Sequence, residues 1–318
     1  MFRPLVSTFP PVAASRYAPF LVTGSLPLSS PPRGAYAAWV LVCLVWGTTY
    51  LAIRIALETI PPMLMGGVRW CLAGALMASA LVLRGERLPG PRHWASLALI
   101  GLLMTGFGNG AVVWAEQTIT SGLAALLVAA SPFWMIGLER LRPGSSPIGV
   151  GKVAGLVVGF SGIVTLVWPD VRDGLRSASL GSVAATQLAC LSWAAGSVYS
   201  RGRQTGSSLL GSAALQMCFG GAVLLIVGLL VGEWSSLVFN ARTSGALAYL
   251  VFVGSIAGYS AYAYALQHLP LATVSLYAYI NPVIAVALGT LILAEPLSPR
   301  LLVAGVLVLA GMIIVRKT

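Results

Sequence analysis

The sequence predicts an all-α polytopic membrane protein with ten transmembrane helices arranged as two inverted five-helix repeats. Composition is the first observation behind this reading. The 318 residues are 58% hydrophobic and only 8% charged, with a mean hydropathy of +0.89. No single soluble core hides that much apolar surface. The second observation is a series of continuous apolar runs from Tyr36 onward, each long enough to cross a hydrocarbon core of roughly 30 Å at about 1.5 Å per residue. The third is a repeat: CLVWGTTYLAIR at 43–54 returns as CLSWAAGSVYSR at 190–201.

Residues 1–35 hold seven prolines, six of them by residue 31, with several serines, three arginines and no acid. They read as a disordered Pro/Ser-rich tail, with a transit peptide as the alternative. The expected spans are 36–57, 62–83, 94–114, 118–138, 150–168, 180–200, 207–231, 246–266, 271–294 and 300–315. The runs lack the period-2 alternation of a membrane β-barrel, so they read as helices. Domain limits follow: a first repeat over 36–168, a linker loop over 169–179 and a second repeat over 180–318.

The repeat keeps its register over long stretches. At an offset of 147 residues Cys43 meets Cys190, Trp46 meets Trp193, Arg54 meets Arg201, Cys71 meets Cys218 and Gly74 meets Gly221. At 150 residues Gln117 meets Gln267 and Pro132 meets Pro282. Five helices per half is an odd number, so the second half enters the membrane upside down relative to the first, the logic of an inverted-repeat transporter. With a cytoplasmic N-terminus the inner segments carry 13 Lys or Arg and the outer loops 4, which places both termini in the cytoplasm.

Several function classes are excluded by the residues. Lys and Arg total 19 against 8 Asp and Glu, but the cations lie between apolar runs and form no nucleic-acid patch. The four cysteines sit inside apolar runs without metal-site spacing, so neither a disulfide framework nor a metal site is indicated. His93 and His268 are the only histidines, and HExxH, GxSxG and diphosphate-binding motifs are missing. No catalytic residue and no cofactor is therefore expected. Gly106, Gly108 and Gly110 spell GxGxG inside an apolar helix with no preceding strand, which suits close packing rather than a phosphate loop. Gly151, Gly155 and Gly159 form a GxxxGxxxG face for close helix approach, within the chain or in a homodimer.

The chain resembles the drug/metabolite transporter superfamily, EamA family, across residues 36–315. The first half carries Trp46-Gly47-Thr48, Arg69-Trp70 and WAEQTITSGLAALLVAASPF at 114–133. The second carries YALQHLPLATVSLYAYINPVIAVALGTLILAEPL at 264–297. One departure is visible: Glu295 follows Pro282 by thirteen residues, whereas Ser145 stands thirteen after Pro132. The segment LERLRPGSSP at 138–147 resembles exporter-like members. The resemblance implies a central cavity lined by helices 1 to 4 and 6 to 9, with helices 5 and 10 peripheral. It further implies export of small metabolites, amino acids or related amphiphilic or aromatic compounds, across the bacterial inner membrane. A membrane sensor or binding protein on the same fold is the alternative.

Candidate site residues follow from chemistry at membrane depth. Pro132 and Pro282 each remove a helical donor and free the carbonyls of Val128 and Ala278, so a kink is expected at both, with Asn281 offering an amide beside the second. Such paired interruptions are either packing kinks or the broken helices of a transport site. Arg69 lies seven residues into its helix and requires a partner, either Glu58 or Glu116 in an ion pair or a substrate carboxylate. Trp46 and Tyr50, Tyr259 and Tyr262, Trp114, Trp193 and Tyr277 are cavity candidates that equally suit the interfacial belt. Asn109, Gln117, Gln187 and Gln216 offer uncharged hydrogen bonds. Glu116 and Glu139 are the candidates for proton coupling.

Overall fold

The computed structural model describes residues 32–141, 149–172, 178–201 and 208–317, and these residues are helical throughout, joined by short turns. We number the helices α1 (Arg33–Ala56), α2 (Pro62–Leu83), α3 (Pro91–Ala115), α4 (Ser121–Arg140), α5 (Val150–Arg172), α6 (Ala178–Arg201), α7 (Leu209–Leu230), α8 (Ala241–His268), α9 (Tyr277–Leu293) and α10 (Pro299–Lys317). Six of these, α1 to α4, α7 and α8, are long and apolar enough to cross a membrane. Leu83, Leu230, Leu291 and Val306 stand exposed on the outer surface, as a lipid-facing bundle requires. Residues 1–31 and 173–177, which hold most of the expected tail and part of the expected linker, lie outside the described residues. The linker expected over 169–179 is partly helical, since α5 runs to Arg172 and α6 begins at Ala178.

Local chemistry sets where the helices begin. The first amide groups of a helix have no partner within it. Thr120 receives the Leu123 amide at 3.3 Å, Ser208 receives that of Gly211 at 3.0 Å, and Asn240 forms a capping box with Thr243. These caps move α4 three residues past the expected start and open α8 five residues ahead of it. α2 starts on Pro62, whose missing N–H costs nothing at that position. α6 is the most polar helix of the bundle interior, because Ser182, Thr186, Ser192 and Ser197 are all buried along it. Thr186 and Ser197 return their hydroxyls to carbonyls of their own helix, so a polar sequence crosses the interior without orphaned donors.

Helix pairing is tight and reciprocal. α2 packs antiparallel on α7: a methyl group added at Gly74 would lie 2.6 Å from Cys218 Sγ, and one at Gly221 would lie 2.6 Å from the Cys71 amide. α5 pairs with α10, α1 with α8 and α9, α6 with α3 and α4, α3 with α7, and α2 with α8. The glycine face of α5 is covered within the chain, with Gly155 and Gly159 against Gly311 of α10. α3 and α8 each contain a π-helical stretch, Leu102–Gly108 and Leu250–Ala257. Wide turns of this kind free carbonyls for other partners, and Trp46 Nε1 donates to the Gly254 carbonyl at 3.1 Å inside the second.

The two proline positions behave differently. α4 breaks at Ala129 and Ala130, just before Pro132. The freed Val128 carbonyl accepts from Ser131 Oγ at 2.7 Å, and that of Leu127 accepts from Gln187 Nε2 at 3.1 Å. In the second half the break falls earlier, at Ser275 and Leu276, between a single turn Leu271–Val274 and α9. Pro282 is then an interior residue of α9 near its start, so the interruption expected at Pro282 falls at Ser275 and Leu276, upstream of the proline.

Candidate substrate cavity

A cavity of about 70 Å³ lies between helices of both halves. By the same measure one water needs about 10–15 Å³, so it has room for several. Its wall includes six of the expected residues, Trp46 and Tyr50 from α1, Arg69 from α2, Asn109 from α3, Trp193 from α6 and Tyr277 from α9. Thr49, Trp70, Ser131 and Cys190 also line it. Thr49 and Ser131 carry no sequence signal beyond one helical turn's proximity to Trp46 and Pro132. The Trp70 indole donates to Asn109 Oδ1 at 2.8 Å, which orients the amide on the wall.

One end of the cavity is walled by aromatic rings. Trp46 makes edge contacts with Trp193 and Tyr277 at 5.4 and 5.1 Å and a tilted contact with Tyr262 at 5.0 Å. Tyr262 shares its hydroxyl with Ser197 Oγ at 2.8 Å and Trp193 Nε1 at 3.2 Å. Tyr259 bonds Gln216 Oε1 at 2.7 Å. Tyr259, Tyr262 and Gln216 are thus buried behind the wall rather than on it. Such aromatic pairs add about 0.5–1.5 kcal/mol each beyond their buried area, so the cluster forms a rigid floor.

The remaining candidates lie elsewhere. Trp114 is 43% exposed on the outer surface. Gln117 is exposed and folds back to the Trp114 carbonyl. Gln187 bridges α6 to Trp134 and to the Leu127 carbonyl. Pro132 and Pro282 are buried in helix packing. Asn281 is buried, and with its amide oriented to meet both acceptors it donates to the Tyr277 and Cys43 carbonyls at 3.0 Å each. Its amide ties α9 to α1. Glu139 is half-buried in the last turn of α4.

Two buried ionisable groups stand near the cavity. Arg69 is 2% exposed. Its Nε donates to Ser255 Oγ at 2.8 Å, its guanidinium carbon sits 4.5 Å from the Trp70 ring centroid, and among the described residues its Nη1 has no hydrogen-bond partner. Neither expected ion-pair partner receives it. Glu58 pairs with Arg242 at 3.0 Å at the exposed end of α1, and neither oxygen of Glu116 accepts a hydrogen bond. Glu116 lies in the turn between the spans of α3 and α4, fully buried. Burial pushes its carboxyl well above the ordinary carboxylate range, and the nearby Glu295 carboxylate adds to the shift, while Arg54 and Arg69 act against it.

Glu295 was a family landmark without an assigned task. Ala294 adopts a left-handed conformation, φ 53°, which turns the chain after α9 back toward α4. Glu295 then accepts from the Ser121 amide at 2.9 Å, Ser121 Oγ at 2.8 Å and the Gly122 amide at 3.3 Å. A carboxylate at a helix start satisfies orphan donors and the positive end of the dipole. Glu233 does the same for α2, accepting from the Met63 and Leu64 amides at 3.2 and 2.8 Å. Arg54 closes the other side of the turn by donating to the Glu116 carbonyl.

The described residues, all helical with an apolar exterior and six helices long and apolar enough to cross a membrane, have the make-up of a polytopic membrane protein. The model of the EamA-like transporter family matches residues 33–168 and again residues 181–317, and the chain belongs to that family. It is 36% identical over 283 residues to the uncharacterized inner membrane transporter YedA of Escherichia coli, covering 88% of this chain and 90% of the relative. It is 30% identical to protein PecM of Dickeya dadantii over 86% of this chain and 89% of the relative. A probable amino-acid metabolite efflux pump of Escherichia coli is 27% identical over 86% of this chain and 92% of its own length. One solved structure, described only as the crystal structure of a protein, superposes with a TM-score of 0.67 at 19% identity. It covers 89% of this chain and 97% of its own, and shows a shared fold. The family is one of transporters, and these relatives are named as transporters or an efflux pump where a function is named, not as enzymes.

Proposed function

We propose that the protein is a secondary transporter that exports small metabolites across the bacterial inner membrane by alternating access, with both termini cytoplasmic. The observation that carries this reading is the cavity, walled on one side by aromatic rings and lined from both halves of the chain. Two inverted five-helix repeats are supported by the packing: exchanging each of α1 to α5 with the helix five places later leaves the main pairings given above unchanged. The contacts of Gly74 with Cys218 and of Gly221 with Cys71 are themselves exchanged by the 147-residue offset. A site between two such halves is exposed to either side as they rock. Glu116 is the favoured proton carrier, being buried and unpartnered, whereas Glu139 lies at the far end of α4.

Counterflow in proteoliposomes, with a mixed pool of amino acids, organic acids and aromatic amphiphiles, tests the reading. Saturable counterflow is the expected result, and its response to an imposed pH gradient separates proton-coupled from facilitated movement. A folded, reconstituted protein that moves no member of the pool would leave a binding protein on a transporter fold.

A further inference from the structure

The geometry points to a specific substrate class for this cavity: a compact monocarboxylate with an apolar body and no ammonium group. This deepens the transport reading and rests on it. Arg69 supplies the first half of the argument. Its guanidinium is buried on the cavity wall, held from one side by Ser255 and stacked near Trp70, with Nη1 unpartnered. A guanidinium presents donors in a rigid fork that matches a carboxylate. Here Nε is fixed by Ser255, and Nη1, buried and without a hydrogen-bond partner among the described residues, is left for a carboxylate that enters as the cavity opens. No ion pair is formed by Arg69 among the described residues, and the acids expected to neutralise it are engaged elsewhere or buried without contact to it.

The second half is what the wall lacks. Among the described lining residues Arg69 is the only charged side chain, and the rest are aromatic, aliphatic, amide, hydroxyl or thiol groups. A zwitterionic amino acid entering this space would place its ammonium within a few ångströms of the same guanidinium that holds its carboxylate, with no acid on the wall to compensate. An unpaired charge out of water is strongly disfavoured. Glu116, the acid buried near Arg69, is not on the wall, so it offers an incoming ammonium no contact there. An acid without the amine meets one cation and a ring-lined pocket formed by Trp46, Tyr50, Trp193 and Tyr277. The limited volume favours a body of one ring or a short branched chain.

Matched ligands test this on the protein in detergent, through quenching of the cavity tryptophans and thermal stabilisation. The two series are 3-phenylpropionate, phenylalanine and phenethylamine, and 4-methylpentanoate, leucine and 3-methylbutylamine. Dodecanoate reports on size. The expected result is binding of each acid at least tenfold tighter than its amino acid or amine partner, with dodecanoate weaker than 4-methylpentanoate. In Arg69→Lys the preference for acids falls at least tenfold, since a point charge replaces the fork. Amino acids or amines that bind as well as the acids overturn the assignment, as does a preference for dodecanoate or binding of none of the ligands. Counterflow of the wider pool is scored separately, so transport of other compounds without acid binding sinks the substrate class and leaves the transporter standing.

Discussion

Glu116 is a group the fold would discard on stability alone. Both its oxygens are buried without a donor, and an unsatisfied buried polar group costs about 1–3 kcal/mol. Leucine has a similar volume and no polar atom, so Glu116→Leu is expected to stabilise the protein by about 1–3 kcal/mol near neutral pH. For a chain of this size that is roughly 2–6 °C in Tm. The pH dependence has a definite sign. Burial raises the folded-state pKa of Glu116 above its unfolded value, so the folded state binds more protons over the interval between the two. Stability from this group is full below the unfolded pKa, about 4.3, and is lost as pH rises through the folded one. Thermal scans in detergent between pH 5 and pH 8 should therefore show the gap between Glu116→Leu and the parent widening with pH. In proteoliposomes the variant should keep counterflow and lose its response to a pH gradient. Parallel pH profiles, or a variant less stable than the parent throughout, would refute the argument from burial. Undiminished gradient-driven transport would refute the proton role.

Two further substitutions probe how the bundle is held. Glu295→Ala removes the acceptor of three donors at the start of α4 and is expected to cost about 1–3 kcal/mol, read as a lower detergent Tm. Glu295→Gln retains one acceptor and should lie between the two proteins. Gly74→Ala places a methyl 2.6 Å from both the Ala214 carbonyl and Cys218 Sγ. The backbone oxygen cannot step aside, so separation of α2 and α7 at about 1–3 kcal/mol is expected. Gly90→Ala, which meets nothing within 4 Å, serves as its control.

Much of this architecture was legible because a bilayer imposes a simple rule: apolar runs of about twenty residues become helices. Runs whose interior is polar were harder. α6 was recognisable through its repeat partner, although buried Ser182, Thr186, Ser192 and Ser197 lower its hydropathy. Helix ends moved where a side chain captured free amides, as Asn240 does for α8, and capping depends on a rotamer that hydropathy does not report. In the site, aromatic spacing in α1 identified Trp46 and Tyr50, while Trp114 illustrates the ambiguity of the same residue type, since a tryptophan on an apolar helix suits lipid and cavity alike. Asn281 and Gln187 look like ligand-binding amides in the sequence. In three dimensions Gln187 is consumed by the Leu127 carbonyl beside the break in α4, and Asn281 by the carbonyls of Tyr277 and Cys43, which tie α9 to α1. The task of Glu295 was hidden because its partners at Ser121 and Gly122 are 174 and 173 residues away.

The disposition of charge separates structural from functional side chains. Glu58 and Arg242 meet in an exposed pair at the ends of their helices, where such a contact is worth little and costs little. Glu233 and Glu295 are fully used as caps. Arg69 and Glu116 are the exceptions: each is buried, each has an unbonded terminal atom, and they do not bond one another. A bundle selected only for stability would have paired them or replaced both with apolar residues. Pairing them would also fix the Arg69 fork and leave Glu116 permanently ionised, which would remove a place for an anion and a place for a proton together. On the transport reading proposed above, keeping them apart leaves Arg69 on the cavity wall for an anion and Glu116 behind it for a proton.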